Sequence, residues 1–247
     1  MDSEDSSVGW PAVVTRPWSI LDFLLVWLGG LVGSVIFGAI GDLLDNPDWA
    51  IALLLAGQYV GNIAVFAWLA RTRGTSTIGL EVRTGDILYI GLGLVLQVTM
   101  AALFYPLNNL LFPDGRPEQE VARIIADADT LFLQVTLVAA AVVLGPITEE
   151  VMYRGILLKT LQPRGRWFTI ILTSVVFAAV HLTGLDPDQM LASAAVFLPP
   201  LFLLGMLLAW VTLRTGRLGP AIFIHSGWNL LSAIVLLLPA EMLEQFS

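Results

Sequence analysis

Apolar stretches of roughly 20 residues recur along the chain, each closed by a short polar connection. A run of about 20 such residues crosses the hydrocarbon core of a bilayer as a helix. Seven runs fit, at approximately Trp18 to Ile40, Trp49 to Ala70, Ile87 to Phe112, Leu131 to Leu161, Trp167 to Leu182, Leu191 to Leu213 and Leu218 to Leu238. Helices are expected in all of them, because hydrocarbon offers the backbone no water to bond with and a helix satisfies its own amides. The pattern therefore predicts an all-α, multi-pass transmembrane helical bundle of about seven spans.

The connections add an orientation. Arg16 precedes the first span; Arg71, Arg73 and Arg83 follow the second; Lys159, Arg164 and Arg166 follow the membrane part of the fourth; Arg214 and Arg217 follow the sixth. The alternate connections carry Asp42, Asp45 and Asp48, then Asp186 and Asp188, then Glu241 and Glu244, with no Lys or Arg. Basic loops stay in the cytoplasm, so the amino terminus is expected inside and the carboxyl terminus outside, in a prokaryotic-type cell membrane. The connection Pro113 to Thr130 holds Arg116 and Arg123 but also five acidic residues, and is placed outside. Its stretch Glu118 to Ile125 is expected to form a short interfacial helix. Residues 1–17 read as a disordered cytoplasmic tail, and the first span, lacking a basic segment before it, as retained rather than cleaved.

Composition sharpens the class. The 247 residues are 57% hydrophobic and 13% charged, with a mean hydropathy of +0.81, against about 25% charged in a soluble domain. A net charge of -8 without any basic run argues against a nucleic-acid partner. With no cysteine, disulfides, thiolate zinc sites, iron–sulfur clusters and a cysteine nucleophile are all excluded.

Ionisable groups inside a span cost about 2.5 to 3.5 kcal/mol on insertion scales, so those that persist pair, line a cavity or do chemistry. Span 4 contains Gly145 to Arg154 (GPITEEVMYR), span 5 contains Phe177 to His181 (FAAVH) and span 7 contains His225 to Asn229 (HSGWN). The chain has only 2 histidines, and both lie in these segments. Glu150 and Arg154 stand four apart and can form an ion pair. Glu149 is turned about 100° from its neighbour and has no sequence-local cation. Pro146 gives no hydrogen bond to the carbonyl of Val142 and is expected to loosen the helix ahead of the carboxylates. Phe177 with His181, and His225 with Asn229, likewise share a face, and Gly227 lets another backbone come close. At 1.5 Å per residue, Glu149 lies about 15 Å from Lys159, His181 about 21 Å from Trp167 and His225 about 12 Å from Arg217, heights that overlap near the midplane.

Each group also has a quieter reading. Glu150 with Arg154 reads first as a buried ion pair that fixes helix geometry. Either histidine, or Asn229, can serve only to bond across helices. Asp22, Gln58, Asn62 and Gln97 read as packing or interfacial groups, and Pro199-Pro200 as a bend in span 6. Together, though, the groups suit peptide hydrolysis, which needs a base for water and donors for the oxyanion. Glu149 can be the base, His181 can share or orient the water, and His225 with Asn229 can supply the donors. Ser174 and Ser226 lie nearby but without a clear Ser-Lys or Ser-His relay. Two histidines and a glutamate are also a legitimate zinc set. Here they would come from three helices, with no HExxH pair and with Arg154 alongside, so no metal or other cofactor is expected.

The motifs EExxxR at Glu149 to Arg154, FxxxH at Phe177 to His181 and HxxxN at His225 to Asn229 resemble those of the CAAX-protease and bacteriocin-processing (CPBP, or ABI) family of intramembrane proteases. The resemblance spans about Thr130 to Ala240, which makes 130–240 a catalytic core and 18–129 accessory helices. It implies that Glu149 and His181 activate water, that His225 and Asn229 form the oxyanion site, and that Glu150, Arg154 and Phe177 support them. The partner implied is a peptide or lipidated peptide met in the lipid bilayer. The family has been described both as metalloproteases and as glutamate-dependent proteases. A proton-coupled transporter, or a scaffold whose polar cluster only locks helices together, is the competing class.

Overall fold

The computed structural model describes residues 17–113, 120–185 and 187–237, without the side chains of 120–122. Residues 1–16 of the expected tail, with Arg16, and also Arg116, Glu118, Asp186, Glu241 and Glu244, lie outside the described residues. Every regular element among the described residues is helical. Seven helices are long and apolar enough to span a membrane, in agreement with the hydrophobic pattern.

Helix α1 (Ile20–Asp42) starts at a reciprocal cap. The Ser19 hydroxyl accepts from the Asp22 amide, and Asp22 Oδ2 accepts from the Ser19 amide at 2.8 Å. Helix α2 (Pro47–Arg73) returns alongside, begun by Asn46 as cap and Pro47 in the first turn. Its last residue, Arg73, reaches Asp22 at 2.9 Å, tying the two helix ends. Between those ends the backbones nearly touch. A side chain on Gly33 or Gly57 would collide with the carbonyl of the other, and Gly29 and Gly61 stand in the same relation. Where lipid tails are as apolar as leucine, such close backbone packing is what holds helices together.

A 3₁₀ turn, Thr84–Leu88, leads into α3 (Tyr89–Leu111). Asp86 in that turn is buried and forms a two-point pair with Arg217, at 2.7 and 3.0 Å. A short α4 (Glu120–Ala126) occupies the described part of the stretch expected to be interfacial. The long α5 (Leu131–Arg164) is interrupted by two π-helical stretches, Ala140–Leu144 and Val151–Leu157. Helix α6 (Arg166–Ala179) tightens into a 3₁₀ turn at Val180–Gly184, α7 (Met190–Thr215) continues through Pro199 and Pro200, and α8 (Gly219–Leu237) completes the described chain.

As expected for Gly227, α8 lies against another backbone: a side chain there would strike Ile90, and one on Gly93 would strike Ile224 and Trp228. Tyr153, Ile156, Phe177, Leu204, Leu208 and Ile224 form the core where α5 to α8 meet. Leu191, Leu110, Val35 and Val95, by contrast, are 63 to 88% exposed, as lipid-facing residues are.

Candidate active site

The site grows out of the broken hydrogen-bond ladder of α5. At Ala140–Leu144 the bonds run in five-residue register, so the Gly145 amide donates to the Ala140 carbonyl. The next acceptor, Ala141, then faces Pro146, which has no N–H. Asn229 fills that place from α8, its Nδ2 donating to the Ala141 carbonyl at 2.7 Å. The carbonyl robbed by the proline is thus Ala141 rather than Val142, because the π register shifts the pairing by one residue. The Tyr59 hydroxyl of α2 donates to the neighbouring Ala140 carbonyl at 3.2 Å. Thr148 Oγ1 donates back to the Leu144 carbonyl at 2.8 Å.

One turn further the two carboxylates part company. Glu150 and Arg154 are both fully enclosed and paired at 2.9 Å. Arg154 also donates to the Gly205 carbonyl of α7 at 3.2 Å, and its guanidinium lies 4.4 Å from the centre of the Phe177 ring. His225 Nδ1 stands 3.0 Å from Glu150 Oε1, which requires a proton on Nδ1, and the ring's Nε2 comes within 3.9 Å of Glu149 Oε2. Glu149 remains 35% exposed, and its buried Oε2 has no hydrogen-bond partner among the described residues. A Cβ added to Gly145 would lie 3.8 Å from the other oxygen, Glu149 Oε1, and 3.6 Å from the Tyr59 hydroxyl.

His181 sits in the 3₁₀ turn that ends the fifth span, not in its regular helix. Its Nδ1–H donates to the Phe177 carbonyl at 2.8 Å, which leaves Nε2 as an acceptor. Phe177 is the hub: its ring meets those of His181, His225 and Tyr153 edge-on, with centroids 5.1, 5.6 and 5.4 Å away. Glu149, Glu150, Arg154, Phe177 and His225 therefore form one cluster. Asn229 joins it through the α5 backbone and His181 through Phe177, while no ion pair links His181 to a described carboxylate. Sequence reasoning missed Tyr59, Gly205 and the two alanine carbonyls; nothing local in the sequence marks them.

Three His, Asp or Glu side chains do not gather into a metal-binding group among the described residues. Glu150 Oε1 is already shared by Arg154 and His225, so Glu150 itself is poorly placed as a ligand.

Residues 131–231 match the family model described as Rce1-like, type II CAAX prenyl endopeptidase. That stretch holds all three motifs. No curated protein and no solved structure matches the chain significantly.

Proposed function

We propose that this protein hydrolyses a peptide bond of a peptide or lipidated peptide within the bilayer, with Glu149 as the base. One observation supports the choice most: of two adjacent carboxylates, Glu150 is enclosed and doubly paired, whereas Glu149 is 35% exposed and its Oε2 has no hydrogen-bond partner among the described residues. In this reading Glu149 takes a proton from water that His181 helps to orient, and the resulting hydroxide adds to the scissile carbonyl. The oxyanion receives hydrogen bonds from the second N–H of Asn229 and from His225 Nε2–H, with His225 acting as an imidazolium whose other N–H is held by Glu150. The C–N bond then breaks, and Glu149 passes its proton to the departing amine. Glu150, Arg154 and Phe177 fix the His225 ring. The machinery belongs to residues 130–240, with 18–129 accessory and the amino terminus cytoplasmic.

The test is cleavage by the full chain, purified in detergent with excess chelator, of a lipidated CAAX-type peptide and of unmodified peptides. Glu149→Gln is expected to lower kcat by about 10²- to 10⁴-fold with little change in the unfolding midpoint. Equal activity in both proteins would remove Glu149 as the base, and chelator-sensitive cleavage would restore zinc. Proton-linked flux lost in the variant would favour a transporter, and altered stability alone a scaffold.

A further inference from the structure

A groove of about 250 Å³ stands apart from the carboxylates, between the first turns of α1, the end of α5 and one face of α6. It is walled by Phe23 of α1, Leu157 and Leu161 of α5, and Leu172 and Val176 of α6. Ile20 and Leu24 complete it and are 43 and 50% exposed, so it opens on the surface that lipid covers. Every lining side chain is hydrocarbon. Val176 stands ten residues beyond Arg166, the first residue of α6, which is about 15 Å along the axis. The groove therefore runs from the membrane surface through about half of a 30 Å hydrocarbon core, the reach of one leaflet.

Its surface end is closed by the turn that joins two of its own walls. That turn carries Arg164 and Arg166, both exposed, and Thr169 Oγ1 fastens α6 to it by donating to the Leu161 carbonyl at 2.8 Å. Neither arginine forms an ion pair among the described residues, and residues 151–185 contain no Asp or Glu. The Arg166 guanidinium lies 5.9 Å from the centre of the Trp167 ring, itself 63% exposed, a basic and aromatic pairing that belongs in the headgroup layer.

We propose that this groove binds an anionic phospholipid, with one acyl chain along Leu157, Leu172 and Val176 and the phosphate paired with Arg164 and Arg166. The lipid chain of a substrate fits less well. Leu161 is twelve residues from Glu149, about 18 Å along α5, so a chain whose polar end lies at the arginines does not bring an adjoining peptide bond to that carboxylate. Phe23, Tyr153 and Phe177 also stand between, ring against ring at 5.4 Å. The bound acyl chain rests on Phe23 and braces from behind the stack of rings that ends on His225.

The test is lipid retention by the full chain in mild detergent, read by native mass spectrometry and by the unfolding midpoint, with phosphatidylglycerol and phosphatidylcholine of identical chains as probes. The wild type is expected to retain one phosphatidylglycerol, to gain stability as its concentration rises, and to hold phosphatidylcholine far more weakly. Arg164→Gln combined with Arg166→Gln should weaken phosphatidylglycerol retention on the order of thirtyfold and leave the lipid-free midpoint in place, since both side chains are exposed. Leu172→Trp, which fills the groove, should abolish retention of either lipid; if that variant does not fold, the arginine pair still decides. Arg71→Gln combined with Arg214→Gln removes exposed charges of α2 and α7, helices that contribute nothing to the groove, and should change nothing. A loss there equal to that of the Arg164 and Arg166 pair would reduce the effect to general surface charge and overturn the proposal. Equal retention of the two lipids by the wild type would overturn it as well. Retention of an S-farnesyl cysteine ester in preference to phosphatidylglycerol would give the groove to a substrate chain instead. None of these outcomes depends on whether a peptide is cleaved, so the lipid site and the peptidase reading fail separately.

Discussion

The first three spans and the last four use the same apolar alphabet for opposite ends. The most apolar windows of the first three are 28, 17 and 6% buried, whereas those of the last four are 33 to 39% buried. In the first group, polar residues work as latches at helix ends, Asp22 with Arg73 and Asp86 with Arg217, and the middle of α1 against α2 is glycine backbone. In the second, the pair Glu150–Arg154 stands mid-helix and fully enclosed. A latch at a helix end keeps some hydration and costs little. A pair in the core loses it all, so each member depends on its partner.

That contrast is sharpest in the arginines. Replacing Arg154 with Met leaves Glu150 charged and enclosed, with only His225 to answer it, and should cost about 3 to 5 kcal/mol, read as a large fall in the unfolding midpoint in detergent. The matching change at Arg73 leaves Asp22 still bonded to Ser19 and should cost about 1 kcal/mol or less. Equal losses would mean the two pairs differ only in position. Next in size is Gly33→Leu, which drives a side chain into the Gly57 carbonyl and should cost about 1 to 3 kcal/mol; an unaffected midpoint would show that α1 and α2 are held by their end latch alone. The smallest effect belongs to Gln97, whose amide donates to Ser232 at 2.8 Å and joins α3 to α8. Gln97→Leu should remove roughly 0.6 kcal/mol, and a loss several times larger would move α3 into the energetic core.

The seven spans were legible because lipid imposes length and apolarity on any helix that crosses it. The ion pair was legible too, since a spacing of four fixes a shared face without reference to any other helix. What sequence could not supply was azimuth between helices. His225 bonds Glu150 and only approaches Glu149, and that depends on how α8 is rotated against α5. Tyr59 stayed hidden for a related reason: its partner Ala140 is 81 residues away, and a tyrosine in a span has many uses. The close fit of α1 on α2, however, was written in the spacing of Gly29 with Gly33 and Gly57 with Gly61 and went unread. Pro146 correctly announced a disturbed ladder, but which carbonyl it orphaned depended on the π register, for which no residue pattern stands.

That register has a consequence for how the gene can change. A π stretch accommodates one residue more than an α-helical turn of the same rise, so Ala140–Leu144 behaves as an insertion that the helix has kept. Excising a single codon there would remove the bulge and restore ordinary α winding, with the helix beyond it, Glu149 and Glu150 included, kept near its present azimuth. Such a deletion would lose the offset register that leaves the Ala141 carbonyl to Asn229. Single-residue deletions inside Ala140–Leu144 should therefore be tolerated better than deletions from regular α-helix, where no bulge absorbs the missing residue and everything beyond turns by about 100°.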